Sequence, residues 1–198
     1  ILVLKHSNRL SSFDRNICNI EWKGHVLNKT SEWWFHQTNH IIPNHMLHCD
    51  QNIMIVKKCK PFHLEVVVRA YITGNTKTSL WTHYNNGERE YCGILFPEGL
   101  VKNQKLETPV ITPTTKGEVD LPLTPTEIIK NDFATEEEWK YITEKALELF
   151  HYGQKIADER GFILVDTKYE FGKDDCEIIT LIDEIHTCDS SRYWKKST

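Results

Sequence analysis

GFILVDTKYEFG, residues 161–172, is rich enough in β-branched and aromatic residues for a buried strand, yet charges interrupt it at every second place. Strand side chains alternate between faces, so Asp166, Lys168 and Glu170 share one face, with Ile163, Val165, Tyr169 and Phe171 on the other. The stretch CEIITLIDEIH (176–186) also reads as a strand, and the KDD between them (173–175) predicts a β-hairpin. Asp183 interrupts the second strand as Glu170 interrupts the first, so two carboxylates approach each other beside the Lys168 ammonium. Carboxylates that close repel and raise a pKa unless a cation settles between them. Mg²⁺ binds through one or two carboxylates plus substrate phosphates, which makes Glu170 and Asp183 candidate metal ligands and turns Lys168 toward a phosphate. A solvent-facing hairpin bearing a salt bridge accounts for the same residues, and both readings stay open at this level.

Working back from the hairpin, TEEEWKYITEKALELFHYGQKIADERG (135–161) is the strongest helix. Thr135 and Glu138 form a capping box, Gly161 stops the helix, and Trp139, Ile142, Ala146, Leu149, Phe150 and Ile156 make its apolar stripe. Residues 73–126 read as loop-rich, with few periodic stretches. Residues 52–59 and 62–72 read as strands, and the second carries His63, Glu65, Val67 and Arg69 on one face against Leu64, Val66 and Val68. Gly24 to about His40 predicts an amphipathic helix ended by IIPNH, with Trp33 and Trp34 on its apolar side, as core residues rather than a base-stacking platform. ILVLK (1–5) reads as a short strand.

The chain has 198 residues, 39% hydrophobic and 26% charged, the composition of an ordinary globular protein. A net charge of −4 argues against a dedicated nucleic-acid binder, which needs a basic surplus. No apolar run approaches the roughly 20 residues that cross a bilayer, and no leader is evident, so the expectation is a cytoplasmic protein with no membrane partner. Cys18, Cys49, Cys59, Cys92, Cys176 and Cys188 form no C-x-x-C pair and are expected to be reduced thiols. Starting at Ile1 and stopping at YWKKST, the sequence has the look of a fragment.

Other groups carry two readings each. Glu65 and Arg69 could take a ribose hydroxyl and an anion, or form a cross-strand ion pair. DSSRYW (189–194) sets two hydroxyls and an Arg after the hairpin, suited to a phosphomonoester or to a capped turn. His36, His40, His45, His48 and Cys49 crowd together, but without H-E-x-x-H or paired cysteines they read as surface and capping residues rather than a zinc site. Phosphate-binding glycine loops, G-x-S-x-G, H-R-D and D-F-G are all absent.

Eight stretches, SNRLSSFD (7–14), KGHVLNKTSEWWF (23–35), IIPNH (41–45), VKKCKPFHLEVVVRAYITG (56–74), YCGILFPEGL (91–100), TPTTKGEVD (112–120), FILVDTKYEFG (162–172) and LIDEIHTCDSSRYW (181–194), together resemble phosphoribosylaminoimidazole-succinocarboxamide synthase, the SAICAR synthetase family of purine biosynthesis. The resemblance implies an ATP-dependent ligase joining L-aspartate to carboxyaminoimidazole ribonucleotide, with ATP as co-substrate and Mg²⁺ as cofactor. It implies an α+β fold in two lobes, an N-terminal antiparallel-sheet lobe (1–74) distantly like the small lobe of kinases and a larger α+β lobe (75–198), with ATP in the cleft between them. Homo-oligomerisation is left open.

The resemblance also implies roles. Lys168 would be catalytic and face the transferring phosphoryl group, and Glu170 and Asp183 would hold the metal. Lys58 would run along the adenine and Glu65 would contact the ribose. Arg69, Arg192 and Ser190 or Ser191 would hold the ribonucleotide phosphate; Arg9, Ser11 and Asp14 would lie near the imidazole; Lys116 and Asp120 would lie near the acceptor carboxylate and aspartate. Asn75 stands where many relatives have Ser, and Val119 where a His is usual. The strands that cover the ATP phosphates and the C-terminal helical part of the family are expected to lie outside these 198 residues. A kinase-like phosphotransferase and a non-catalytic nucleotide binder are the competing readings.

Overall fold

Strands run through most of the chain, and helices separate them into groups. The computed structural model describes residues 1–12, 15–76, 79–117 and 119–196. Strands β1 (Leu2–Lys5), β2 (Arg9–Ser12) and β3 (Arg15–Asn19) precede helix α1 (Lys23–Thr38). Then come β4 (Met46–Asp50), β5 (Ile53–Val56), β6 (Lys60–Pro61), β7 (Leu64–Tyr71), α2 (Leu80–Asn85), β8 (Glu90–Tyr91), β9 (Ile94–Leu95) and β10 (Lys105–Thr115). Helices α3 (Pro125–Lys130) and α4 (Glu136–Glu159) lead into β11 (Phe162–Lys173), β12 (Ile179–Ile182) and β13 (Ser191–Lys195). Mixed α and β elements with antiparallel ladders give the expected α+β class.

The long strand β11 organises the larger sheet. Along one edge it pairs with β7 and then β6; along the other it pairs with β13 and then β12. Strand β10 closes the far side of β7. One sheet therefore spans the division expected near residue 74, because β7 is hydrogen-bonded to both β10 and β11. A second sheet, in the order β1-β5-β4, packs beside α1, and β2 and β3 form a separate two-stranded hairpin.

Helix α4 starts as its sequence predicts: Thr135 Oγ1 accepts from the Glu138 amide, and Glu138 accepts from the Thr135 amide at 2.8 Å. Gly161, at φ 76°, provides the left-handed residue that ends it. Its buried stripe, Ile142, Ala146, Leu149 and Phe150, packs on Val66, Val68, Tyr169 and Phe171 of the sheet. Each fully buried Leu, Ile or Phe contributes about 1.5–3 kcal/mol. Pairing with β13 shifts register between Leu164 and Asp166, leaving one extra residue in β11. Strict alternation grouped Leu164 with the charges; the bulge turns it into the core beside Tyr169 and Phe171.

Two further expectations are corrected. The loop-rich segment contains β10, which escaped because Pro109 and Pro113 and its threonines hide the period; an edge strand tolerates such prolines. Of the tryptophan pair only Trp34 is core, while Trp33 is 39% exposed with Arg160 over its ring. No helix among the described residues is long and apolar enough to cross a membrane, and all six cysteines are free thiols.

Gly153 lets α4 pack closely on the residues beneath it, since a Cβ there would lie 2.4 Å from His186 Cε1 and 2.9 Å from Leu164 Cδ2. Gly153→Ala is expected to destabilise by about 1–3 kcal/mol through overpacking, read as a lower denaturant midpoint at unchanged slope.

Candidate functional site

The gap between β12 and β13 opens opposite the middle of β11, and the charges gather there. Glu170 pairs with Ile182 and the Lys168 amide donates to the Ser190 carbonyl at 2.9 Å, so the chain from Asp183 to Ser190 loops out beside Lys168. Lys168 Nζ donates to Glu170 Oε1 at 2.6 Å and to Asp183 Oδ2 at 2.7 Å, and Glu65 Oε1 lies 3.9 Å away. Lys116 forms a further ion pair with Glu170. The two carboxylates foreseen in the hairpin thus converge on one ammonium. Asp183 sits just past β12, at φ 66°.

Environment sets the charge states. Burial alone would lower the Lys168 ammonium, but Asp183 and Glu170 outweigh it and hold its pKa above the usual lysine range. Burial would raise the Asp183 carboxyl, yet Lys168 and then Lys116 hold it below the usual range. Glu65 is raised by burial, against the pull of Lys168. Glu170 is 4% exposed, so its two cations offset a desolvation cost that an unpaired carboxylate could not meet.

Two cavities flank this cluster. One, of about 250 Å³, runs between Leu2, Leu4 and Val56 of the small sheet and Glu170, Asp183 and Lys116 of the large one. Lys57 and Cys59 line it, whereas Lys58 does not. The other, of about 260 Å³, is lined by Arg69, Asp166, Lys168, Ser190, Ser191 and Arg192 among others. Here Asp166 holds two guanidinium groups, with Arg69 Nη1 at 3.4 Å and Arg192 Nη1 at 3.5 Å. Arg69 Nε also donates to Thr112 Oγ1 at 2.9 Å, and the Thr167 and Ser191 hydroxyls are 2.7 Å apart. Burial raises the Asp166 carboxyl against the two arginines.

The remaining expected residues are more dispersed. Arg9 and Ser11 lie on the exposed β2–β3 hairpin, and among the described residues no hydrogen bond or ion pair joins either to the cluster. Asp14 lies outside the described residues. Asn75 is exposed and accepts from Lys102, away from the residues lining either cavity. Asp120 is exposed, close enough to Glu65 to raise its pKa. The histidine-rich segment does not assemble a metal centre: no group of three or more His, Cys, Asp or Glu suited to a metal occurs among the described residues. His45 is not a surface residue but is 4% exposed and lines the first cavity. Sequence reasoning missed Thr112 and the bridging part of Asp166, and it read His45 as a surface or capping residue; of these only Asp166, one of the three charges on its strand face, and His45, in its histidine-rich segment, carried a signal.

Buried neutral histidines bear on acid stability. Burial holds His45 down to about 4 and His186 down to about 3. Their stabilising effect is complete above the unfolded value of about 6.5 and is lost as pH falls toward the folded values, because only the unfolded chain takes up the protons. Unfolding free energy is expected to decline between pH 6.5 and 4 by about 1.4 kcal/mol per pH unit for each histidine, measured by denaturant titration.

Comparison with known proteins gives a consistent picture. A family model described as SAICAR synthetase matches residues 1–198. The phosphoribosylaminoimidazole-succinocarboxamide synthase of Legionella pneumophila (strain Lens) is 55% identical over 195 residues, covering 98% of this chain and 62% of that protein. The chain thus spans less than two thirds of that curated relative. Among solved structures, the SAICAR-synthase from Saccharomyces cerevisiae complexed with SAICAR aligns at TM-score 0.86 and 30% identity, over 98% of this chain and 70% of that one. A type-2 SAICAR synthetase in complex with ADP aligns at TM-score 0.81 and 25% identity, over 98% and 76%.

Proposed function

This chain belongs to the SAICAR synthetase family, and from that premise we propose that the full-length protein is an ATP-dependent ligase. It joins L-aspartate to the carboxylate of carboxyaminoimidazole ribonucleotide, giving the succinocarboxamide, ADP and phosphate. The observation that carries the reading is the convergence of Glu170 and Asp183 on Lys168 between two cavities, one walled by apolar strand residues and one by paired arginines.

A carboxylate oxygen is a poor leaving group. Transfer of the γ-phosphoryl group to it expels ADP and makes an acyl phosphate; attack by the aspartate amine then forms the C–N bond as phosphate departs with the C–O electron pair. The protein's part is positioning and charge neutralisation. In this reading the first cavity takes the nucleotide, with the adenine against Leu2, Leu4 and Val56, Lys57 rather than Lys58 along its edge, and Glu65 toward the ribose. Lys168 meets the transferring phosphoryl group. Arg69, Arg192 and the Ser190 and Ser191 hydroxyls take the ribonucleotide phosphate, for which a guanidinium fork is suited. Lys116 and Asp120 border the acceptor carboxylate and aspartate, Arg9 and Ser11 come from the β2–β3 arm, and Asp14 is assigned to the imidazole with them by its motif.

Two carboxylates held close by one ammonium fit a cation that takes one or two protein oxygens and completes its shell with phosphates and water. Glu170 and Asp183 would hold Mg²⁺, which supplies neutralisation of the triphosphate. A cytoplasmic setting belongs to the same reading, since its substrates are soluble metabolites.

The test is a coupled assay on the full-length protein: sustained ADP release is expected to require both the ribonucleotide and aspartate and to yield the amide, and sustained release that accumulates a phosphorylated product without aspartate would reject the ligase in favour of a phosphotransferase. Arg192→Ala is expected to raise the KM for the ribonucleotide about 10- to 100-fold with little change in stability, because Arg192 is 40% exposed and loses a charge-assisted contact of about 1.5–3 kcal/mol. An unchanged KM would move the phosphate elsewhere.

A further inference from the structure

Asp183 reaches Lys168 only because its backbone leaves β12 in a left-handed turn, and that turn has a support outside the sheet. Pro43, Asn44 and His45, from the loop between α1 and β4, run alongside Leu181. The Leu181 amide donates to the Pro43 carbonyl at 2.9 Å, the His45 amide donates to the Leu181 carbonyl at 3.1 Å, and Asn44 and Leu181 form a parallel bridge. Asn44 fixes the loop in turn, donating from Nδ2 to the Phe35 carbonyl at 3.2 Å and accepting from the Met46 amide at 3.1 Å. His45 therefore stands two residues across from Asp183, with its ring edge-on to Phe35 at 5.5 Å. The ring lines the same cavity as Asp183, and the Asp183 main chain acts on the imidazole as a hydrogen-bond acceptor would. Its Nε2 has no partner among the described residues, so Nδ1 is the nitrogen left to face that main chain.

Left-handed backbone at a residue other than glycine persists where its surroundings over-determine it, and such residues cluster at functional sites. We propose that His45 is a positioning residue of this ligase: its N–H holds the Asp183 main chain in the turn that presents the Asp183 carboxylate to Lys168, Glu170 and a nucleotide-bound divalent cation. The inference rests on the proposed function for its meaning, but its geometry belongs to these residues alone. Outer residues that orient a metal ligand typically affect metal affinity or activity 10- to 100-fold.

The experiment uses full-length protein carrying His45→Phe, which keeps the ring and its packing on Phe35 but lacks the N–H, and His45→Asn, whose amide can donate from about the position of Nδ1. Calorimetric titration with ADP, with and without Mg²⁺, is read beside turnover. His45→Phe is expected to lower kcat and Mg²⁺-dependent ADP affinity about 10- to 100-fold while leaving Mg²⁺-free ADP binding near wild type. His45→Asn is expected to recover most of both losses. The inference is overturned if the Phe variant keeps wild-type Mg²⁺ linkage, or if the Asn variant is as impaired as the Phe variant with both folded. His45→Ala carries the same comparison should the larger ring prevent folding. A wild-type enzyme that forms no amide product sinks the proposed function instead, and the calorimetric comparison still decides the part played by His45.

Discussion

Asp183→Asn in the full-length protein is expected to lower kcat by about 10²–10³-fold, the usual effect of removing one group that stabilises developing charge, and to leave the melting temperature within a few degrees. The stability half follows from exposure: the Asp183 side chain is 40% accessible, and Lys168 keeps Glu170 as a partner when Asp183 is neutralised. Glu170→Gln is expected to give an equal or larger loss of turnover with a visible stability cost, because Glu170 is 4% exposed and holds two ammonium groups. Steady-state ADP release and thermal unfolding on the same preparations separate the two effects. Two fully active variants would remove this cluster from the catalytic site, and a wild-type protein without turnover would be a non-catalytic nucleotide binder.

Lys168→Met is the second large effect, and it reaches stability as well as turnover. The apolar side chain fills similar space but leaves Glu170 and Asp183 facing each other with Glu65 nearby. Breaking a largely buried charge network by removing one partner costs about 3–5 kcal/mol, and the loss is expected at neutral pH. The sign with pH is opposite to that of the wild type. Without that ammonium, burial raises the Asp183 carboxyl against Lys116 alone, so the variant regains stability as pH falls and that carboxyl takes up its proton. A divalent cation can replace the missing charge, and added Mg²⁺ is expected to raise the melting temperature of Lys168→Met more than that of the wild type. A variant indifferent to Mg²⁺ would show that the two carboxylates do not form a cation site.

The same residues show which signals a sequence carries. Alternation put Asp166, Lys168 and Glu170 on one face, and the fold keeps them there, because a strand's side-chain directions follow from its own backbone. The Thr135–Glu138 capping box and the stripe of α4 were legible for the same reason, depending only on residues within a turn or two. The place of Leu164 in the core was not legible because the bulge is imposed by pairing with β13, almost thirty residues later. Strand β10 stayed hidden because its edge position excuses the prolines that argued against it, and edge position is a property of the sheet rather than of the segment.

By itself, then, the amino-acid order determined the elements whose period is local: the late hairpin with its row of charges, the capped helix before it, the helix after Gly24 and the strand bearing Glu65 and Arg69. Its ordered motifs also determined the family. Which charges meet was decided only in three dimensions. Asp166 became the tie between Arg69 and Arg192, Lys116 reached Glu170 across 54 residues of sequence, and His45 passed from an apparent surface histidine to a buried neighbour of Asp183. The physical reason is that an ion pair needs two groups brought within about 4 Å, and for groups far apart along the chain that distance is set by strand register and loop path, which no local periodicity encodes.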